Sequence, residues 1–125
     1  MRKVSHKTIM KHLATTHLAT CKYFEDDCWY KTTVKVDGIF NLHSDFRRFV
    51  TPVGERYIDI WPTHIEPLVR TGAIDFMPEA ALPLSPICCL IEDGRLFVID
   101  GSLRVFNAIQ FGNDELSAYV WRHDG

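Results

Sequence analysis

The feature that most constrains the fold of this chain is an uninterrupted run of local structural signals between residues 86 and 121. Two short apolar runs, residues 87–91 and 96–99, flank an Asp-Gly pair at Asp93 and Gly94. An Asp-Gly pair between such runs is typical of a tight β-hairpin, because glycine readily adopts a positive φ. The sequence therefore predicts two antiparallel strands joined by a short turn.

The segment after this hairpin has the pattern of a helix with a defined start and end. Asp100 and Ser102 are both residue types that favour helix N-caps, and Gly112 is placed to end the helix. The apolar residues between them recur on one helical face: Leu103, Val105, Phe106, Ala108 and Ile109. Residues 116–121 then form a predicted third strand, so the unit is two strands, a helix and a closing strand.

The start of this predicted helix is a place where an anion can bind. The first N–H groups of a helix lack intrahelical acceptors and lie at the positive end of the helix dipole. Gly101 allows close approach of a phosphate, and Arg104 adds a forked guanidinium donor. From spacing alone, a well-capped helix with a glycine in a tight turn is the commoner explanation, and both interpretations stay open at this point.

The order of residues in this unit resembles the ParB/sulfiredoxin superfamily. The segment reads EDGRLFVIDGSLRVFNAIQFG, followed by LSAYV, and members of that superfamily carry a strand pair, a G-x-x-R turn, a helix ending in glycine and a closing strand. In the superfamily this turn binds the phosphates of CTP or ATP. The resemblance, which covers residues 86–121 only, therefore implies phosphate contacts at Gly101 and Arg104 and, more loosely, at Asp100 and Ser102.

Two departures from the superfamily pattern bear on the expected activity. Leu103 stands where many members have a histidine, and Ser102 stands where sulfiredoxins have their catalytic cysteine. A sulfiredoxin-type thiol reaction is therefore disfavoured, and no catalytic residue is assigned. The resemblance implies a nucleotide-binding protein, with an NTP and Mg²⁺ as ligands and weak NTP hydrolysis as its activity. The alternatives on the same fold are a non-enzymatic inhibitor or interaction module of plasmid, phage or toxin-system type, and a metal-dependent nuclease.

Composition and length are those of one globular domain. The chain has 125 residues, of which 46% are hydrophobic, and a formal net charge of −2. We expect an α+β fold: a single small ParB/sulfiredoxin-like domain over residues 1–125, with a mixed sheet, hairpins and a basic N-terminal helix. No apolar run approaches the ~20 residues of a membrane-spanning helix. We therefore expect no membrane partner, a cytoplasmic location and cysteines that stay reduced.

The basic residues are concentrated at the N-terminus. Residues 1–24 contain no acidic side chain, and their basic residues are Arg2, Lys3, Lys7, Lys11 and Lys22. A helix that starts at a Ser5 cap and extends to about Cys21 is predicted, with Lys3, Lys7 and Lys11 recurring every four residues on one side. This side is the predicted contact for nucleic acid or an acidic protein partner, with an ordinary solvated helix face as the alternative.

The middle of the chain has sequence signals for both strands and a short helix. Residues 29–36 and 39–42 flank a second Asp-Gly pair, which predicts a second hairpin of the same kind. Residues 56–61 are a predicted short strand, and residues 64–70 a predicted short helix that ends at Gly72. A loop is expected over residues 73–85, because several prolines there oppose regular structure.

Two further groups of polar side chains have the chemistry of a site. Asp59, His64 and Glu66 are candidate acid and base groups for a nucleotide bound nearby. His17 and Cys21 have the i,i+4 spacing of zinc ligands on a helix. Because two ligands do not complete a zinc site, no metal site is predicted.

Overall fold

The structure is a computed structural model that describes residues 2–5, 7–9, 29–42, 44–46, 49–74 and 86–122. Its strands are β1 (Arg2–Val4), β2 (Trp29–Lys35), β3 (Ile39–Asn41), β4 (Asp45–Phe46), β5 (Phe49–Val50), β6 (Ile87–Glu92), β7 (Arg95–Asp100) and β8 (Glu115–Trp121). Its helices are α1 (Tyr57–Ile60), α2 (Glu66–Arg70) and α3 (Ser102–Gln110). A π-helical turn (Trp61–Ile65) joins the first two helices, and a 3-10 turn (Val36–Gly38) follows β2.

Six of these strands form one mixed sheet in the order β1-β2-β8-β6-β7-β3. The pairs β1 with β2, β2 with β8, and β6 with β7 are antiparallel, whereas β8 runs parallel to β6 and β3 runs parallel to β7. Strands β4 and β5 form a separate two-stranded sheet. The protein is a small single domain of mixed α and β structure, and the expected mixed sheet is confirmed.

The predicted hairpin between β6 and β7 is confirmed. Asp93 and Gly94 both have positive φ, 52° and 74°, as a two-residue type I′ turn requires. Glu92 and Arg95 are the pair that closes the turn. The Asp-Gly signal therefore specified both the turn and the register of these two strands.

The predicted second hairpin is wrong. Asp37 and Gly38 have no positive φ, so they cannot form the turn that would fold β2 back onto β3. They lie in the 3-10 turn instead, and the N–H of Val36 donates to the carbonyl of Asp114 at 2.9 Å. Strand β2 pairs with β8, and β3 crosses to the far side of the sheet to pair with β7.

The predicted strand at residues 56–61 is also wrong, because this segment is helical. Arg56 is extended and precedes α1, and the chain then continues through the π-helical turn into α2. Tyr57, Ile60 and Ile65 are all fully buried, which shows that the apolar residues follow a helical rather than an alternating period. Pro62 is tolerated because it lies at the start of the π-helical turn.

Both longer helical segments end at a glycine, as the sequence predicts. Gly72 after α2 and Gly112 after α3 have φ of 81° and 75°. At the end of α3, the N–H of Asn113 donates to the carbonyl of Ala108 at 2.8 Å, and the N–H of Gly112 donates to that of Ile109. This is the Schellman arrangement, in which a left-handed glycine reverses the chain and satisfies the last carbonyls.

Hydrophobic packing covers both faces of the sheet. The larger cluster includes Cys89 and joins the sheet to the helices, whereas the smaller one contains Val4, Ile9, Trp29, Cys88, Leu90 and Ile99. The adjacent residues Cys88 and Cys89 point to opposite faces, as expected in a strand. Burial raises the pKa of the Cys88 thiol to about 12 and raises that of Cys89 further, so both are packing groups rather than reactive thiols.

The start of the predicted N-terminal helix is visible as a helical turn at residues 7–9. The N–H of Thr8 donates to the hydroxyl oxygen of Ser5 at 3.3 Å, which is the expected cap, and Ile9 is fully buried in the smaller cluster. The rest of the predicted helix and most of the predicted loop at 73–85 lie outside the described residues. No helix in the described part of the chain is both long enough and apolar enough to cross a membrane.

Candidate functional site

The candidate site lies where β7 ends at Asp100 and α3 begins at Ser102. Gly101 is the N-cap, with φ 118° and ψ 22°, and no side chain caps the helix. The expectation that Asp100 or Ser102 caps α3 is therefore wrong. The carbonyl of Gly101 accepts the first intrahelical bond, from the N–H of Val105 at 3.1 Å. The N–H groups of Ser102 and Leu103 consequently have no acceptor within the helix and point toward its open end.

Gly101 has two structural reasons to be glycine. Its φ lies in the region that side chains other than glycine rarely adopt. A Cβ built on Gly101 would also lie 2.5 Å from Cγ2 of Ile87, at the start of β6. That side of Gly101 is filled by the packing of α3 against the sheet, so any approach by a ligand must come from the other side.

Arg104 turns back from the first turn of α3 and joins the ends of the two hairpin strands. Its Nη1 donates to the carbonyl of Pro86 at 2.9 Å, and its Nη2 forms an ion pair with Oδ2 of Asp100 at 3.3 Å. Both side chains are partly buried, so solvent screens this pair less than it screens a surface ion pair. A phosphate at the start of α3 would have to share Arg104 with these partners or replace the Asp100 carboxylate.

Tyr57 is the site residue that sequence reasoning missed. Its hydroxyl is 2.8 Å from the hydroxyl oxygen of Ser102, and its ring packs edge-on against Phe106 with centroids 5.1 Å apart. The residue is fully buried, and this desolvation raises the pKa of the phenol above its usual value. The signal that could have revealed it is the i,i+3 spacing of Tyr57 and Ile60 on a helix, which the strand prediction obscured.

Loss of the hydrogen bond between Tyr57 and Ser102 should destabilise the fold by an amount that depends on which partner is removed. We expect Ser102→Ala to destabilise the fold by about 1–3 kcal/mol, because it leaves the phenol of a fully buried tyrosine without its partner. Tyr57→Phe leaves only the half-buried hydroxyl of Ser102 and should cost about 1 kcal/mol or less. Urea denaturation of both variants measures the two costs, and a larger cost for Tyr57→Phe would contradict this assignment.

The expected acid and base groups do not converge on the start of α3. Asp59 forms an ion pair with Arg56, with Nε and Oδ2 2.9 Å apart, and Glu66 forms a looser one with Arg70. Together with His64, they lie on exposed parts of the helical segment. From this segment it is Tyr57, rather than any of these three, that reaches Ser102.

The structure separates the lysines that were placed on one helix face. Lys3 belongs to β1 and pairs with Tyr30, because the chain is extended there and hydrogen-bonded to β2. Lys7 lies on the helical turn at residues 7–9 and is exposed, and Lys11 lies outside the described residues. The prediction of a row of lysines on one helix face, beginning at Lys3, is therefore wrong. Contact of these lysines with nucleic acid or a protein stays a prediction.

Neither a metal site in the described residues nor a match to a known protein gives independent evidence of function. Across the described ranges, no group of three or more His, Cys, Asp or Glu side chains is placed to hold a metal ion. No protein-family model, curated protein or solved structure matches the chain. A functional proposal therefore rests on the contacts of this site and on its sequence motif.

A surface cleft of about 270 Å³ lies at the opposite end of α3. It is lined by Lys35, Val36, Asp37, Ile58, Ile109, Gly112, Asn113 and Asp114. Lys35 in this lining is ion-paired with Glu115. The carbonyl end of the helix dipole and the two aspartates therefore make this cleft unfavourable for a phosphate. The predicted phosphate site is therefore the β7–α3 junction and not the cleft.

Proposed function

We propose that this protein binds a nucleotide through its phosphates at the junction of β7 and α3, and that it does so without efficient turnover. The observation that carries the proposal is the N-cap of α3. A glycine stands there with no side-chain cap, so the N–H groups of Ser102 and Leu103 can bind an anion. The resemblance of residues 86–121 to a superfamily with a phosphate-binding G-x-x-R turn supports the same assignment.

The charges around this junction suggest how a phosphate would enter. Arg104 and the positive end of α3 attract an anion, whereas Asp100 repels it and forms an ion pair with Arg104. A phosphate has the same forked acceptor geometry as a carboxylate, so it can take the place of Asp100 beside the guanidinium. The Asp100–Arg104 pair is therefore the contact that ligand binding rearranges.

Three features favour binding over catalysis. Leu103 has no group that could transfer a proton. The Ser102 hydroxyl is hydrogen-bonded to the Tyr57 phenol. A phenol is neutral at ordinary pH, and burial raises the pKa of this one further, so it does not serve as a base. The ion-paired Asp59 and Glu66 lie elsewhere on the helical segment.

The substitution Asp100→Asn tests the site with a defined sign. It keeps the shape of the side chain, removes the charge that repels phosphate and releases Arg104 from its ion pair. We expect nucleotide affinity to increase about fivefold, equivalent to about 1 kcal/mol for one charge in a partly solvated site. Isothermal titration calorimetry with ATP, CTP and GTP, with and without Mg²⁺, measures the change.

Asp114→Asn is the matched control, because it removes the same charge at the opposite end of α3. It should leave nucleotide affinity unchanged at physiological ionic strength. Equal increases for both variants would mean that only net charge matters and that the anion does not lie at the start of α3. Wild-type protein that binds none of the nucleotides would contradict the proposal itself.

A non-enzymatic interaction module is the second candidate, and exposed apolar side chains favour it. Leu42, Val50 and Val53 are 37%, 80% and 56% exposed, and all three lie around the β4–β5 hairpin. Backbone hydrogen bonds from Thr51 to Ser44 and from Gly54 to Asn41 hold this region together. Where exposed apolar side chains form one contiguous surface, that surface marks a protein contact. On this alternative, no nucleotide raises the melting temperature of either wild type or Asp100→Asn.

A further inference from the structure

Asn107 is a buried polar residue, and no hydrogen bond among the described residues explains why an amide lies there. It lies in the middle of α3 and is fully buried. Neither its Nδ2 nor its Oδ1 has a hydrogen-bond partner among the described residues. Buried side-chain amides are nearly always hydrogen-bonded in folded proteins, since an unsatisfied one destabilises the native state. Each such group therefore calls for an explanation, which can be strain, a functional role or a bound water or ion.

A second buried asparagine shows the ordinary structural role for comparison. Asn41, at the end of β3, is also buried, and its Nδ2 donates to the carbonyl of Pro52 at 2.9 Å. That bond ties β3 to the segment that follows β5. Asn107 makes no comparable bond, so its amide does not serve the same purpose.

The position of Asn107 on α3 places it beside the proposed phosphate site. It follows Leu103 by four residues and Arg104 by three, and residues at these spacings are neighbours on one helix face. Helical side chains also lean toward the N-terminus, so its amide lies over the turn that contains Arg104. The distance along the axis from Arg104 is only about 4.5 Å at 1.5 Å per residue.

We propose that Asn107 determines specificity at this site by hydrogen-bonding the nucleoside part of a bound nucleotide. The inference rests on the proposed function, because it assigns the phosphate to the start of α3 and the nucleoside to the adjacent turn. A side-chain amide has a donor, its NH2 group, and an acceptor, its carbonyl oxygen. The edge of a nucleobase carries acceptors and donors that can pair with both. Because Asn107 is fully buried in the free protein, its neighbours must separate locally before the nucleoside reaches it.

Asn107→Leu and Asn107→Ala test this role against inorganic tripolyphosphate as a ligand without a nucleoside. We expect both variants to bind the preferred nucleotide among ATP, CTP and GTP about tenfold more weakly, and to bind tripolyphosphate like wild type. Asn107→Leu should also raise the melting temperature, because it replaces an unsatisfied amide with an apolar group of similar size. Asn41→Leu is the control, and it should lower the melting temperature without changing the ratio of the two affinities.

The outcomes separate this inference from the function on which it rests. Unchanged nucleotide affinity in both variants, or an equal loss of tripolyphosphate affinity, overturns the role of Asn107 and leaves the phosphate site in place. A lower melting temperature for Asn107→Leu shows a structural role and also overturns the inference, with Asn107→Ala deciding the binding result if the leucine variant does not fold. Wild-type protein that binds neither nucleotide nor tripolyphosphate overturns the phosphate site and this inference together.

Discussion

Gly101→Ala should destabilise the fold by about 2–6 kcal/mol. The backbone at Gly101, with φ 118° and ψ 22°, strains any residue with a Cβ by about 1–3 kcal/mol. The new methyl carbon would also lie 2.5 Å from Cγ2 of Ile87, a buried core residue that cannot move without disturbing β6. Such overpacking adds about 1–3 kcal/mol, so the sum removes much of the ~5–15 kcal/mol by which a domain is stable.

Gly112→Ala is the matched control at the other end of the same helix. Gly112 also has a positive φ, 75°, but a Cβ there meets no atom within 4 Å. We expect a cost of about 1 kcal/mol from backbone strain alone. Urea denaturation followed by tryptophan fluorescence compares the two variants. Similar costs for both would mean that close packing against Ile87 is not what makes Gly101 necessary.

Phe106→Ala should be the most damaging single truncation on α3. The Phe106 side chain is buried, and its ring contacts those of Tyr57 and Trp61, with centroids 5.1 and 6.4 Å apart. It therefore holds the helical segment that begins at α1 against α3. Truncation of a buried phenylalanine costs about 3–5 kcal/mol, because the transfer energy is lost and a cavity remains. Loss of this packing should also weaken the Tyr57–Ser102 hydrogen bond.

Phe111→Ala removes the same ring from the end of α3, where it is 43% exposed. We expect a change within about 0.5 kcal/mol, as for most surface substitutions. Equilibrium denaturation of the two alanine variants under identical conditions gives the comparison. If Phe106→Ala cost no more than Phe111→Ala, the contact between α3 and the α1 segment would not contribute to stability.

The parts of the fold that sequence could predict are those decided by neighbouring residues. The turn at Asp93 and Gly94 needs two positive φ angles, which this pair provides, and α3 follows from a helical apolar period with a glycine after it. The same dipeptide at Asp37 failed as a predictor because Val36 bonds to Asp114, far along the chain. Local preference is a weak guide wherever such a distant partner decides the conformation.

The candidate site likewise has features that the sequence predicts and contacts that it does not. The sequence located Gly101 and Arg104 at the start of α3, because a strand, a glycine and a helix follow one another directly. It did not reveal that Arg104 bonds to Pro86 or that Ser102 bonds to Tyr57, since those partners are 18 and 45 residues away. Phosphate binding at this junction stays a prediction, as does the family resemblance that suggested it.

The place of β8 in the sheet has a consequence for the nascent chain. This strand lies between β2 and β6 and is the last strand of the sheet that the ribosome completes. At about 5–20 residues per second, β2 therefore waits for several seconds with one edge unpaired. During that interval Trp29 and its neighbours are exposed to pairing with other chains. An unpaired strand edge of this kind is a place where incomplete chains can associate before the sheet is finished.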